Sequence, residues 1–330
     1  TLKRSEVVAR RFKGEFALDA QLLFDRINLI LNELGVTIID DKVLNISKSL
    51  DHLQIKTLNN KTIEAGRAVL AAGSETSKLL NRNYPIVPIY NAVGTAMVLD
   101  SVPSNYSSLK AVVRTPNRGG AQCGLHIVPR NCGKFYLGAG NYISDKEPAH
   151  RVETIRYLIN LCESELYGKK VIYDAKVKML LGARPKSADG LPLLGPCKDL
   201  PEIFIASGNY RVGLSFSPVI ANEIIKWCDS GKISDRFKDW APDRKLCSYS
   251  SMEAAVCYYS ESRISNLVEH GLLDLKNQSA VDKKKIELEK IARKFNADLI
   301  QKHGLADDYI VDPDMYSVLT NANSLPKEFL

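Results

Sequence analysis

The sequence predicts a chain that combines a parallel α/β arrangement with an antiparallel α+β sheet, followed by a helical extension. Two segments pass from an apolar run through a glycine turn into a helical pattern, "VLAAGSETSKLL" and "IASGNYRVGLSFSPVIANEII". Short strand-like pieces separated by Pro, Asn and Gly lie between them, and two amphipathic helices follow Trp240. Strand–turn–helix units are typical of parallel sheets, whereas runs of strands with one helix are typical of α+β layers.

The N-terminal part of the pattern predicts a helix, a strand and then a hairpin. Asp19 is a suitable N-cap, apolar residues recur at helical spacing after it, and Gly35 ends the helix. Residues 36–39 then begin a strand, and the pair Asn59-Asn60 marks a hairpin turn further on. The run "RAVLAAG" is apolar and ends in small residues, as a buried parallel strand does.

The middle and C-terminal parts predict strands first and helices later. "GTAMVL", "AVVRT", "GLHIVPR" and "KFYLGAGNYI" have strand composition, and a helix is expected over 152–167. Residues 204–207 form the next buried strand, residues 208–213 its turn, and Gly231 ends the helix that follows. The last two helices are separated by "DLKNQ".

Composition indicates a globular protein and argues against membrane-spanning and nucleic-acid-binding proteins. A chain of 330 residues with 45% hydrophobic and 25% charged residues has the make-up of a globular protein of two or three domains. It contains no run of eighteen apolar residues and no signal-peptide pattern, so we expect no transmembrane segment. The net charge of +7 is scattered along the chain, which argues against nucleic-acid binding.

The cysteines and histidines predict no metal site. The seven cysteines form no CxxC pair, and an odd number without a secretion signal favours reduced thiols and a cytoplasmic location. Cys123 and Cys132 lie near His126 in sequence, but this spacing matches no common zinc pattern.

The segment "GARPKSADGLPLLG", residues 182–195, has an unusual composition for a surface loop. It holds one arginine, two prolines and three glycines, and the apolar run "EIFIASG" follows soon after. Glycines allow a backbone to come close to a ligand, and the arginine supplies a fixed cation beside it. The segment therefore predicts a ligand site.

Three segments, in order, resemble the D-amino-acid oxidase/glycine oxidase superfamily of FAD-dependent oxidoreductases. "AGRAVLAAGSETSKLL" is similar to the strand and turn beside FAD, and "LHIVPRNCGKFYLGAG" to the strand pair above the flavin. "GARPKSADGLPLLGPCKDLPEIFIASGNYRVGLSFSPVIANEIIKW" resembles the C-terminal signature of the family, with its arginine-proline, DG-P-x-x-G and G-x-x-R-x-G elements. The resemblance covers roughly residues 10–235.

The resemblance implies four substrate-site residues. Arg184 would hold the substrate carboxylate above the flavin, since a guanidinium donates two parallel hydrogen bonds. Arg211 would be a second carboxylate contact, or part of the scaffold. His126 would face the substrate, or be a structural residue of its strand. Tyr210 would edge the pocket, or pack beneath it, and Arg184 itself has a structural ion pair as its alternative.

The resemblance also implies non-covalent FAD and the residues beside it. A backbone rich in N–H groups at a helix N-terminus would stabilise the negative charge of reduced flavin. This sequence has Ser74 and Glu75 where the family often has an aromatic residue, and a carboxylate there would disturb the usual contact. The implied cofactor-binding residues are Ala72, Gly73, Ser74, Gly182, Gly208, Asn209, Tyr210, Arg211, Val212, Gly213 and Leu214.

The family's G-x-G-x-x-G dinucleotide fingerprint does not occur in this sequence. The resemblance therefore implies an incomplete Rossmann-like FAD-binding domain, completed by a polypeptide that carries the fingerprint. A separate or cleaved chain, a longer chain, or loss of FAD would each explain this. The implied organisation is an FAD-binding part, an antiparallel-sheet substrate domain, a return segment of the FAD-binding domain and a helical extension, over 1–84, 85–175, 176–235 and 236–330.

The family mechanism implies oxidation of an amine or amino acid by hydride transfer from a substrate carbon to flavin N5, which forms an imine. The chain would act as part of a heteromeric or cleaved enzyme. The alternative is a flavin-free binding or structural subunit that keeps the oxidase scaffold. Glycine, a D-amino acid, proline, sarcosine or a larger amine would fit an arginine above a flavin, with oxygen or another molecule as electron acceptor.

Overall fold

A computed structural model describes residues 12, 14, 17–80, 84–100, 111–115, 125–130, 133–165, 174–269, 272–322 and 325. The cysteine pair considered as metal ligands, Cys123 and Cys132, lies outside these residues. The helices are α1 (Ala20–Glu33), α2 (Glu75–Leu80), α3 (Val152–Glu165), α4 (Gly213–Ser230), α5 (Met252–Glu269), α6 (Gln278–His303) and α7 (Tyr316–Asn321). Among the helices of the described residues, none combines the length and the apolar character needed to cross a membrane.

Helix α1 forms where the spacing predicts it, but it packs against little. The Asp19 side chain accepts hydrogen bonds from the backbone N–H groups of Gln21 and Leu22, and Gly35 adopts φ +69° after the helix. No residue of α1 is buried. Its apolar side chains are largely exposed, with Leu22 at 57% and Leu29 at 53%.

The strand expected at residues 36–39 is absent, and this prediction was wrong. Residues 36–42 follow an irregular path, and the first strand begins at Val43. An extended segment becomes a strand only when a neighbour supplies hydrogen-bond partners. No strand of the described residues lies beside this segment.

Three sheets follow. The first is an antiparallel hairpin sheet of β1 (Val43–Ser49), β2 (His52–Thr57) and β3 (Thr62–Ala65), with Asn60 at φ +58° in the predicted turn. The second is a small sheet in the order β11 (Leu193–Cys197), β12 (Leu200–Ser207) and β4 (Ala68–Leu70). The pair β12–β4 is parallel, as the two strand–turn–helix segments predict.

The third sheet is antiparallel and six-stranded, as the middle of the sequence predicts. Its order is β10 (Lys176–Ser187), β5 (Ile89–Asp100), β8 (Phe135–Gly138), β7 (His126–Pro129) and β6 (Val113–Arg114), and β9 (Tyr142–Ser144) also pairs with β5. Helix α3 covers one face through Tyr157, Leu158 and Cys162. Strand β10 pairs with β5 along its whole length, so it belongs to this sheet although the sequence assigned it to the return segment.

The C-terminal helices form a separate core. Helices α5, α6 and α7 bury an apolar cluster that includes Val256, Leu299 and Tyr316, and the sheet residues Ala92 and Ile143 pack against it. A short 3₁₀ turn, Pro313–Met315, precedes α7, and another, Asp235–Trp240, follows α4. The helical extension predicted after Trp240 is confirmed, and it lies against the six-stranded sheet.

Candidate functional site

Arg184 lies in the middle of β10, opposite Ala92 of β5. Its guanidinium covers Gly94: a Cβ built on this glycine would lie 2.5 Å from Arg184 Nη2. Any larger residue at this position would displace the guanidinium. A glycine inside a strand often marks such a close approach. The β5–β10 pair therefore holds the guanidinium flat across the sheet.

A short chain of hydrogen bonds joins Arg184 to the turn after β12. Arg184 Nη1 donates to Asn141 Oδ1 at 3.1 Å, and Asn141 Nδ2 donates to the Tyr210 hydroxyl at 2.9 Å. Arg211 Nη2 donates to the same hydroxyl at 2.5 Å, and Arg211 Cζ lies 4.6 Å from the Tyr210 ring centroid. The structure thus brings together three predicted substrate-site residues, and it adds Asn141.

The turn over residues 208–213 has an uncommon backbone. Gly208 has φ +72°, and Tyr210, which is not a glycine, has φ +46°. The Tyr210 N–H donates to the Pro185 carbonyl at 2.7 Å, and the backbone of Asn209 forms an isolated antiparallel β-bridge with that of Lys186. These contacts with β10 hold the Tyr210 side chain beside Arg184 and offset the strain of the left-handed conformation.

His126 begins β7 and contributes to the electrostatics of the site. Burial lowers the pKa of His126, and the nearby Arg114 guanidinium lowers this pKa further. Arg184 and Arg211 act on it in the same direction. His126 is therefore neutral at neutral pH, and it lies among three arginines that attract an anion.

The predicted cofactor residues lie just after the parallel strands β4 and β12, except Gly182, which lies in β10 opposite Gly94. Gly73, three residues after the end of β4, has φ +60°, and its carbonyl accepts a hydrogen bond from Ser207 Oγ at 2.8 Å. Ser74 Oγ donates to Asn91 Oδ1 at 2.5 Å. Glu75, the departure from the family pattern, pairs with Lys78 at 2.6 Å. Ligands of α/β sheets bind at this edge of a sheet.

The start of α4 fits a planar, partly apolar group. No side-chain hydrogen bond caps this end of the helix, where Val212 is the N-cap residue, so its N–H groups face outward. Val212 is 47% exposed and Leu214 is 51% exposed. A Cβ on Gly182 would meet no atom within 4 Å. An apolar surface beside free N–H groups suits the ring of a flavin and the charge that it carries when reduced.

The C-terminal extension reaches the site through a buried ion cluster. Lys186 Nζ lies 3.0 Å from Asp312 Oδ2 and 2.7 Å from Asp314 Oδ2. Burial alone would lower the pKa of Lys186, but the two carboxylates outweigh it and raise this pKa. Lys186 therefore stays charged. Its Nζ also lies 5.2 Å from the centroid of the Tyr210 ring.

Sequence reasoning did not identify Asn141, Gly94 or Lys186. The glycine inside the otherwise bulky strand "NAVGTAMVL" was a signal for a close approach, whereas a lone asparagine in "GAGNYI" carries no signal of its own. Lys186 follows the arginine-proline pair, but its partners Asp312 and Asp314 are more than a hundred residues away.

Part of the chain matches a known protein family. Residues 9–227 match the family described as FAD dependent oxidoreductase (DAO). Glycine oxidase of Geobacillus kaustophilus (strain HTA426) is 29% identical over 160 residues, which is 48% of this chain and 39% of that protein.

Solved structures show the same fold at low sequence identity. Glycine oxidase from Geobacillus kaustophilus has a TM-score of 0.51 at 20% identity, covering 61% of this chain and 51% of that one. L-proline dehydrogenase from P. horikoshii has a TM-score of 0.53 at 15% identity, and the match covers 67% of this chain and 58% of that one. At these identities the similarity shows a shared fold.

The family match spans more than half of the sequence, so the chain belongs to the FAD dependent oxidoreductase family. This confirms the resemblance, and the cofactor of the family is FAD. The chain spans 39% of the length of the curated relative and little more than half of the two solved structures.

Proposed function

We propose that this chain is the substrate-binding part of an FAD-dependent amine or amino-acid oxidoreductase. The main support is the position of the Arg184 guanidinium, which lies over Gly94 and is hydrogen-bonded to Asn141 at 3.1 Å. An arginine fixed in this way is suited to bind a carboxylate through two parallel hydrogen bonds. The names of the relatives, glycine oxidase and L-proline dehydrogenase, point to amino acids as the substrate class.

In this proposal each site residue has a definite task. Arg184 binds the substrate carboxylate, and Arg211 adds positive charge at the rim. Tyr210, fixed by its backbone bond to Pro185, limits one side of the pocket. His126 is neutral and places an uncharged ring near the substrate, so the arginines alone supply the positive charge that binds the carboxylate.

The FAD-binding residues in this proposal are those at the ends of β4 and β12. Gly73, Ser74 and the turn over 208–213 would lie along the cofactor, and the N–H groups at the start of α4 would face its charged edge. When bound, FAD supplies the acceptor for the two electrons and the hydrogen that leave the substrate carbon. The chain's own residues orient that carbon through the carboxylate.

We further propose that a polypeptide segment with the G-x-G-x-x-G fingerprint completes an FAD-binding domain of the Rossmann type. Two observations support this. Strand β4 pairs on one side only within the described residues, and Val69 in it is 40% exposed. Helix α1 buries none of its residues. An unpaired strand edge and an exposed apolar helix are both suited to pack against further chain.

The first test is spectroscopic. The protein, purified from its source with its partners, should show flavin absorption, and anaerobic addition of glycine, sarcosine, proline or D-alanine should bleach it. A spectrum without flavin bands from intact, folded protein would contradict the proposal. It would favour the alternative, a flavin-free binding or structural subunit.

The second test concerns Arg184. Replacing it by methionine removes the charge-assisted bond to the carboxylate, so KM for an amino-acid substrate should rise about 10- to 100-fold. The corresponding amine without a carboxylate should be affected much less. Arg293→Met, on an exposed arginine of α6, is the control and should leave KM unchanged for both the amino acid and the amine. Equal losses for both substrates in Arg184→Met would assign Arg184 a structural role.

A further inference from the structure

A cavity of about 230 Å³ lies where the edge of the six-stranded sheet meets the C-terminal helices. Residues 140–143 and the start of α3 form one wall, and α5 with the Pro313–Met315 turn forms the other. The family match ends at residue 227, so the second wall lies outside the matched region. The family match therefore covers the first wall and says nothing about the second.

Two arginines line the cavity, one on each wall. Arg151 Cζ lies 3.6 Å from the centroid of the Tyr142 ring, and Arg263 Cζ lies 5.4 Å from that of Tyr259. Neither arginine forms an ion pair with another described residue, and both are exposed. A guanidinium that stacks on a tyrosine ring is held in position while its N–H groups stay available for an anion.

The start of α3 adds to the positive potential of the cavity. This 14-residue helix begins at Val152, and Glu153 and Thr154 of its first turn line the cavity. The N–H groups of a first turn lack partners within the helix and attract anions. The lining also contains two carboxylates, Glu153 and Asp314, but Asp314 is bound by Lys186 and by the Tyr258 hydroxyl, at 2.7 Å and 2.9 Å.

Asn266 supplies a hydrogen-bond acceptor on the helical wall. Its Oδ1 atom is buried, and it accepts no hydrogen bond from the residues that the structure describes. A buried acceptor without a donor is unfavourable by about 1–3 kcal/mol, and a small rotation of the Asn266 side chain would let a donor in the cavity offset this. A ligand of this cavity is therefore expected to carry a hydroxyl or ammonium group as well as an anion.

One residue belongs both to this cavity and to the Arg184 site. Asn141 lines the cavity, and its Oδ1 atom accepts the hydrogen bond from Arg184 Nη1. A molecule that fills the cavity would therefore contact a residue that orients the substrate-binding guanidinium.

We infer that this cavity binds a small carboxylic acid that carries a hydroxyl or ammonium group. Its carboxylate would bind Arg151 and Arg263, and its donor would bind Asn266 Oδ1. The acid is either the far end of the amine substrate or a separate small molecule. In the first case the inference rests on the proposed function, and in the second it does not.

Calorimetric titration tests binding without any need for turnover. The full protein carrying Arg184→Met, which removes the other carboxylate site, is titrated with 3-hydroxybutyrate, with butyrate and with the uncharged methyl ester of 3-hydroxybutyrate. We expect 3-hydroxybutyrate to bind most tightly and the ester not to bind. Adding Arg151→Gln and Arg263→Gln should weaken the acid about tenfold or more, whereas Arg293→Gln, on an exposed arginine of α6, should not.

Asn266→Leu separates the donor contact from the carboxylate contact. It should remove the advantage of 3-hydroxybutyrate over butyrate and leave butyrate binding unchanged. Thermal unfolding of each variant checks that it is folded. If no acid binds, or if binding is the same with and without Arg151→Gln and Arg263→Gln, the inference is overturned.

Steady-state kinetics of the flavin-containing protein then identify the source of the acid. If KM rises in the variant with Arg151→Gln and Arg263→Gln only for amine substrates with a second carboxylate, the ligand is the far end of the substrate. If the acid binds but KM is unchanged for every substrate, the ligand is a separate molecule. A protein that lacks turnover but binds the acid would contradict the proposed function and leave this inference in place.

Discussion

Among the residues that the structure describes, a glycine and an amide position Arg184, and no carboxylate does. Gly94 leaves the space that the guanidinium occupies, and Asn141 Oδ1 accepts a hydrogen bond from Arg184 Nη1. A carboxylate partner would neutralise the charge, whereas an amide holds the group and leaves its charge available to a substrate. The arrangement favours anion binding over a purely structural ion pair.

Gly94→Ala tests this packing. The added methyl group would lie 2.5 Å from Arg184 Nη2, so the guanidinium must move out of its place on the sheet. We expect KM for the amino-acid substrate to rise about tenfold, the size of one lost charge-assisted contact. Gly66→Ala is the control, because a Cβ there meets no atom within 4 Å. An unchanged KM in Gly94→Ala would show that Arg184 does not bind substrate from this position.

At the scale of elements, the C-terminal helices are joined to β10 by buried ion pairs. Asp189, from the turn after this strand, accepts hydrogen bonds from Arg244 Nη2 at 2.7 Å and Nε at 3.0 Å. Lys186 binds Asp312 and Asp314, which lie near the C-terminal end of the extension. The strand that carries Arg184 is therefore fixed by contacts from residues outside the family match.

Lys186→Met should destabilise the protein by about 3–5 kcal/mol, because it leaves two buried carboxylates without a counter-charge. The free energy of unfolding, measured with urea, gives the loss. Adding Asp312→Asn and Asp314→Asn removes the two unpaired negative charges and should recover part of the lost free energy of unfolding. No recovery in the triple variant would show that the loss comes from packing and not from charge.

His303 near the end of α6 makes the C-terminal segment sensitive to pH. Its Nε2 bonds to the Leu319 carbonyl at 2.9 Å, and its Nδ1 accepts from the Leu325 N–H at 3.1 Å. The bond that Nδ1 accepts needs the neutral ring, and burial lowers the pKa of His303. Because the folded pKa lies below the unfolded one, the unfolded chain takes up more protons as the pH falls. Stability is full above the ordinary histidine range and decreases below it.

We therefore expect the free energy of unfolding to decrease between about pH 7 and pH 5, with a smaller slope in His303→Gln. Urea unfolding at several pH values measures this slope. If the slope of His303→Gln equals that of the wild type, other groups account for the pH dependence.

At the scale of the whole molecule, exposed apolar surface is concentrated near the N-terminal end of the described chain. Leu22 and Leu29 of α1 are both more than half exposed, and Ile38 in the segment after it is 55% exposed. Apolar area of this kind usually packs against another surface. This agrees with the proposal that further polypeptide completes the FAD-binding domain.

The 330-residue chain expressed alone should therefore self-associate, and Leu22→Glu with Leu29→Glu should reduce this. Light scattering after gel filtration gives the mass of the species. Ile286→Glu, on an apolar residue of α6 that is 54% exposed, is the control and should not change the association. A monodisperse monomer of the unchanged chain would contradict the proposed completion by another segment.

Much of the fold follows from local patterns in the sequence. The cap at Asp19, the turn at Asn60 and the glycine that ends α4 depend on near neighbours, and all three are confirmed. The strand at residues 36–39 was predicted wrongly because a strand depends on a partner that local sequence does not reveal. The sequence placed β10 in the return segment for the same reason, since only pairing decides the sheet to which a strand belongs.

The sequence by itself determined the family and the parallel and antiparallel parts of the fold, and it predicted Arg184 as a substrate-site residue. These follow from motifs and periodicities within short stretches of chain. Only the tertiary structure decided that Gly94 and Asn141 hold the guanidinium, that Lys186 ties β10 to Asp312 and Asp314, and that a cavity lies between sheet and extension. These contacts join residues far apart in sequence, and chain folding alone brings such residues together.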